Sequence, residues 1–114
     1  MVNKEKLQQR FMRDPLEKRL GGLAATLGRI SSSARDSNTP NAVMDLLDEA
    51  KYLIEWTAAD SQSDVAAELV QIQRLITLWQ KSWGSAYKEK SQRILLATQA
   101  KEWSDKTLQS SGLI

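Results

Sequence analysis

The sequence predicts an all-α protein, an antiparallel up-down bundle of three to four helices. Three observations lead there. Apolar residues recur at spacings of three and four over long stretches. No segment alternates with period two over a useful length, so no strand is expected. The breaks between the periodic stretches are short and rich in turn formers. The 114 residues fit one domain, taken here as 1–114. A chain of this size buries roughly 65% of its unfolded surface, enough for a core of its own.

The elements follow in order. Residues 1–13, with Leu7 and Phe11, are weakly amphipathic. They read as a separate short helix or a flexible lead-in. A strong helix signal covers 14–34. Asp14 suits the N-cap, Pro15 the first helical position, and Glu17 completes a capping-box-like pattern. Leu16, Leu20, Leu23, Leu27, Ile30 and Ala34 then share one face. Gly21, Ala25 and Gly28 lie together on another. Glycine costs up to ~1 kcal/mol in a helix interior, so this row is either tolerated surface or a seat for a neighbouring helix.

The segment SSSARDSNTPN ends that helix and turns the chain. Thr39 as N-cap with Pro40 behind it starts a second helix, a combination worth ~1 kcal/mol over an uncapped start. Its core stripe is Val43, Leu46, Leu47, Ala50, Leu53, Ile54 and Thr57. Residues 58–63 turn again, and Ser61 with Asp64 resembles another capping box. A third helix places Val65, Leu69, Ile72, Ile76, Trp79 and Trp83 on one face, with Leu75 widening it; all lie within about 60° of Ile72 at 100° per residue. Gly84 and Ser85 read as a helix stop and a new N-cap, the alternative being a kink in a continuous helix. The last segment, about 85–108, has a diluted stripe and is expected to be the least covered element. Residues 109–114 read as a frayed tail with an apolar tip.

Composition excludes several kinds of chemistry. With no cysteine there is no disulfide, thiol nucleophile or Cys-ligated zinc. With no histidine the usual neutral-pH base and the commonest metal ligand are missing. The stretch MVNKEKLQQRFMRD lacks the apolar region of a secretory signal. No apolar run approaches the ~20 residues of a membrane span. A cytoplasmic protein without membrane partners is the expectation. Net charge is +2 but segregated: +5 over residues 1–35, −7 over 36–68 and +4 over 69–114. That distribution serves compensation between helices, or a polarised surface that steers a charged partner.

The acidic segment holds the most informative feature. With Ala50 at zero, Tyr52 falls near about −160° and Trp56 near about −120° at 100° per residue, almost opposite the core stripe. Asp45, Asp48 and Glu49 flank them. Being four apart, the two rings meet on one helix face. A helix with two apolar faces needs two neighbours. The N-terminal segment (Leu7 with Phe11) or Trp103 could cover the rings within one chain. The patch could join copies of the chain, or receive a different protein. Tyr and Trp are enriched at interface hot spots.

Other motifs carry less. GGLAATLGR is neither a P-loop nor a dinucleotide fingerprint. Asp45, Asp48 and Glu49 at i, i+3 and i+4 suit a solvated acidic face better than a cation site, and no metal or cofactor is expected. Glu68 lies about 40° from the centre of the third stripe at 100° per residue, at its edge or paired with an Arg such as Arg29. One carboxylate without His or Cys is a poor catalyst, so no enzyme is expected. Trp79 and Trp83 read as core, the alternative being a flat aromatic ligand pocket. Basic residues gather near both ends: Lys4, Lys6, Arg10, Arg13, Lys18 and Arg19, then Lys88, Lys90 and Arg93. If the ends converge they form a patch for nucleic-acid backbone, with salt-sensitive, non-specific binding.

LLDEAKYLIEWTAAD and WSDKTLQSSGLI resemble segments of small uncharacterised all-helical proteins of cyanobacteria, a likeness spanning most of the chain. It implies a bacterial, cytoplasmic, stand-alone domain and transfers no activity, cofactor or site residue. The sequence therefore points to a non-catalytic module for protein interaction or homo-oligomerisation, with Tyr52 and Trp56 in its interface. Non-specific nucleic-acid binding through the basic ends is the alternative, and an enzyme or small-ligand binder comes third.

Overall fold

The structure, a computed structural model, describes residues 3–112. Among these residues it contains five helices and no strand: α1 (Lys4–Met12), α2 (Leu16–Ala34), α3 (Pro40–Ala58), α4 (Ser63–Ala86) and α5 (Lys90–Ser111). The all-α expectation is met, with five helices where three to four were expected. The additional one is α1, a separate short helix ahead of α2.

Hydrogen bonds set the direction of each pair. Arg29 and Thr26 of α2 lie level with Glu49 of α3, and Arg19 lies level with Trp56 and Asp60, so α2 and α3 run in opposite directions. Trp83 Nε1 donates to the Pro40 carbonyl while Gln73 and Gln80 meet Lys51, so α4 reverses α3. Ser31 Oγ donates to the Ala97 carbonyl and Ser104 Oγ to the Ala24 carbonyl, so α5 runs against α2. The core between them is the expected leucine and isoleucine set, with Trp83 the largest side chain fully enclosed. Trp79 and Trp83 meet edge to face at 6.1 Å. Trp79 Nε1 donates to Gln99 at 2.7 Å, so both indole N–H groups are satisfied and both rings serve as core.

Helix ends depart from the sequence reading for one common reason. A helix leaves carbonyls unpaired at its C-terminus as well as N–H groups at its N-terminus. The Thr39 hydroxyl serves the former, donating to Ser33 and Asp36 carbonyls at the end of α2. Ser61 likewise donates back to the Thr57 carbonyl at the end of α3. Thr39 does stand at the N-cap of α3 with Pro40 behind it, as expected, but its hydroxyl makes no bond to that helix; at α4, Gln62 stands at the N-cap in place of Ser61. Pro15, extended at φ −63° and ψ 161°, occupies the cap position expected for Asp14, and α2 begins at Leu16.

Gly84 neither stops nor starts a helix. α4 runs through it to Ala86, and the break comes at residues 87–89. Trp83 is buried just before the glycine, and Ala86 and Tyr87 pack on the core just after it. Those contacts outweigh the ~1 kcal/mol that glycine costs. Helix α5 reverses the expectation of sparse cover. Its contact with α2 is the most extensive in the molecule. Ala97, Ala100 and Ser104 face Ala24, Gly28 and Ser31, and a Cβ on Gly28 would sit 3.6 Å from Ser104 Oγ. Small side chains let the backbones close in, and a hydrophobic stripe does not reveal them. The seat takes Gly28 from the Gly21–Ala25–Gly28 row, while Ala25 of the same row is exposed. The helix also continues to Ser111, where Gly112 at φ 74° caps it; of the expected tail, 109–111 are helical and the apolar tip at 113–114 lies outside the described residues.

Candidate protein-interaction face

Tyr52 and Trp56 stack on the outer side of α3 with ring centroids 6.0 Å apart and planes 17° from parallel. Both are half-buried. The chain's own α1 covers them. Phe11 meets Trp56 at 6.0 Å, and the Lys4 ammonium stands 4.0 Å above the Tyr52 ring in a cation–π contact. Gly22 of α2 borders the Phe11 ring; a Cβ there would lie 3.7 Å from Phe11 Cε1, in ordinary van der Waals contact. Leu7, one turn before Phe11, is half-buried. Trp103, the other candidate cover, is buried in α5. Among the described residues of α1 none is buried outright.

The acids around the rings divide. Asp45, Asp48 and Glu55 are exposed. Glu49 turns toward α2, where its carboxylate lies 3.7 Å from Arg29 Nη2 and accepts from the Thr26 hydroxyl at 3.4 Å. Arg29 is therefore a neighbour of Glu49, and the three carboxylates expected on one face do not converge. Among the described residues no group of three or more potential ligands is placed to hold a metal ion.

The basic residues do not gather into one patch. Arg19, counted with the exposed cations from sequence, is buried. Its guanidinium donates to Asp60 at 2.9 Å, to the Trp56 carbonyl at 3.2 Å and to the Asp14 carbonyl at 3.2 Å, and it touches Met12 Sδ at 3.5 Å. This side chain ties the α1–α2 link to the end of α3. The signal was available: Arg19 sits about 40° from Leu23 at 100° per residue, at the border of the apolar stripe. Arg93 is half-buried and donates to the Tyr87 carbonyl at 2.8 Å, closing the α4–α5 turn. Lys4 is engaged on Tyr52. Lys6, Arg10, Arg13 and Lys18 are exposed near the start of α2, which is level with the end of α3. Lys88 and Lys90 are exposed at the α4–α5 turn, which is level with the start of α3. The two groups occupy opposite ends of a molecule 38 Å long.

Glu68 is exposed. A small cavity of about 220 Å³ lies between Leu16, Leu20, Val65 and Ser110, with Glu17, Ser61, Gln62 and Ser111 completing its lining; Glu68 is not part of it. It falls below the roughly 300–1,000 Å³ of typical small-molecule sites. Among the described residues no helix is long and apolar enough to cross a membrane. None of the protein families, curated proteins or solved structures compared with this chain matches it.

Proposed function

We propose that this chain is a non-catalytic protein-interaction module of the cytoplasm, acting by self-association or as an adaptor through the outer face of α3. Its architecture in this reading is an up-down bundle of α2–α5 with α1 laid on the outside. One observation carries the proposal: a stacked tyrosine–tryptophan pair, flanked by exposed carboxylates, lies under a nine-residue helix that buries no residue of its own. Such rings supply large contact area at small entropic cost and are characteristic anchors of interfaces. Trp56 and Phe11 pack against the edge of the core, while Tyr52 lies outside it with the Lys4 ammonium over its ring.

Light scattering after size exclusion tests the self-associating form. A dimer or larger species is expected at high concentration, weakened by Trp56→Ala with helicity unchanged. A wild-type chain that stays monomeric at every practical concentration removes self-association from the reading.

A further inference from the structure

We infer that the α2–α3 groove under α1 is a receptor for a basic amphipathic helix of a partner protein, with α1 as the internal occupant that the partner displaces. This rests on the interaction reading above and adds the chemistry of the partner.

The structure displays the required ligand, because α1 is one. Lys4, Leu7 and Phe11 fall at i, i+3 and i+7, the spacing of one helix face. Phe11 packs beside Gly22 and lies on Trp56; Lys4 caps Tyr52. The charges complement each other. Lys4, Lys6 and Arg10 belong to α1, while Asp45, Asp48 and Glu55 stand exposed on α3. A partner helix therefore needs a cation, an aliphatic residue three positions on, and an aromatic residue four further.

The resident helix is held weakly enough to yield. Isolated helices shorter than about 12–15 residues are marginal in water, so the nine residues of α1 owe their order to the groove. Arg19 fixes the pivot. It holds the Asp14 carbonyl and Met12 Sδ, so α1 can leave while the link at residues 13–15 stays anchored to α3.

Because an occupied groove lowers apparent affinity by the fraction of open molecules, emptying it should raise binding. The probe is a capped peptide of residues 3–14, NKEKLQQRFMRD, titrated into the full chain while the Trp56 indole N–H is followed by NMR. The Phe11→Ala chain should bind at least about tenfold more tightly than wild type, with the Trp56 signal moving and those of Trp79 and Trp83 still. Lys4→Glu is a second opening variant and should behave alike. A charge-reversed peptide, or one with its phenylalanine replaced by alanine, should not bind. Adding Gly22→Leu to the Phe11→Ala chain fills the ring's seat and should abolish binding. Folded opening variants that ignore the peptide overturn the inference, as does equal binding of the charge-reversed peptide. If Trp56-dependent self-association is nevertheless seen, the interaction reading survives and only this partner chemistry falls.

Discussion

Arg19 and Asp60 form a pair whose two halves should fail unequally. The Arg19 side chain is 9% exposed and the Asp60 side chain 49%. Asp60→Ala strands a buried guanidinium with only backbone carbonyls and a thioether for company. Breaking a fully buried ion pair costs about 3–5 kcal/mol; water beside half-exposed Asp60 screens this pair, so about 2 kcal/mol is expected. Arg19→Met removes the buried charge, keeps most of the apolar stem, and leaves Asp60 free to hydrate. Replacing a buried charge by an apolar side chain of similar volume is often near neutral, so about 0–1 kcal/mol is expected. The double variant should resemble Arg19→Met, because without the guanidinium Asp60 has nothing left to satisfy. The cycle then shows a coupling as large as the Asp60→Ala effect itself, about 2 kcal/mol. Urea unfolding followed by circular dichroism measures it, and in a domain of this size each kcal/mol corresponds to about 3–6 °C in Tm. If Arg19→Met proves more damaging than Asp60→Ala, or if the two effects simply add, the buried-cation account is wrong.

Gly84→Ala should stabilise the chain by about 0.5–1 kcal/mol, because Gly84 is mid-helix and a Cβ there meets nothing within 4 Å; an unchanged or lower urea midpoint contradicts a continuous α4. The Thr107 hydroxyl is buried without a hydrogen-bond partner, and so is that of Thr57. Thr107→Val should therefore raise stability by up to about 1 kcal/mol, and a loss in the same unfolding assay would show that the hydroxyl has a partner. At the α2–α5 contact, Gly28→Ala should be nearly neutral. Gly28→Leu should cost about 1–3 kcal/mol by overpacking against Ser104, and equal midpoints for the two variants would refute the close approach of these helices.

The leucine, isoleucine and tryptophan stripes of α2, α3 and α4 were legible in the sequence, because large apolar side chains at helical spacing have no other place to go. The second face of α3 was legible for the same reason: Tyr52 and Trp56 sit opposite a complete stripe and demand a cover. What supplied the cover was decided only in three dimensions. Phe11 and Trp103 are equally aromatic in the sequence, and it took the reversal of chain direction at residues 13–15 to lay α1 on α3 while α5 turned Trp103 inward. The α2–α5 contact escaped because alanine, serine and glycine carry little hydrophobic signal, although their small size is what permits the approach. The roles of Thr39 and Ser61 escaped because a hydroxyl between two helices can serve either end, and the path of the turn decides which. Arg19 shows the same division most sharply. Its place at the border of an apolar stripe was written in the sequence, but its partners Trp56 and Asp60 lie some forty residues away, and only the packing of α3 against α2 brings them within hydrogen-bonding distance.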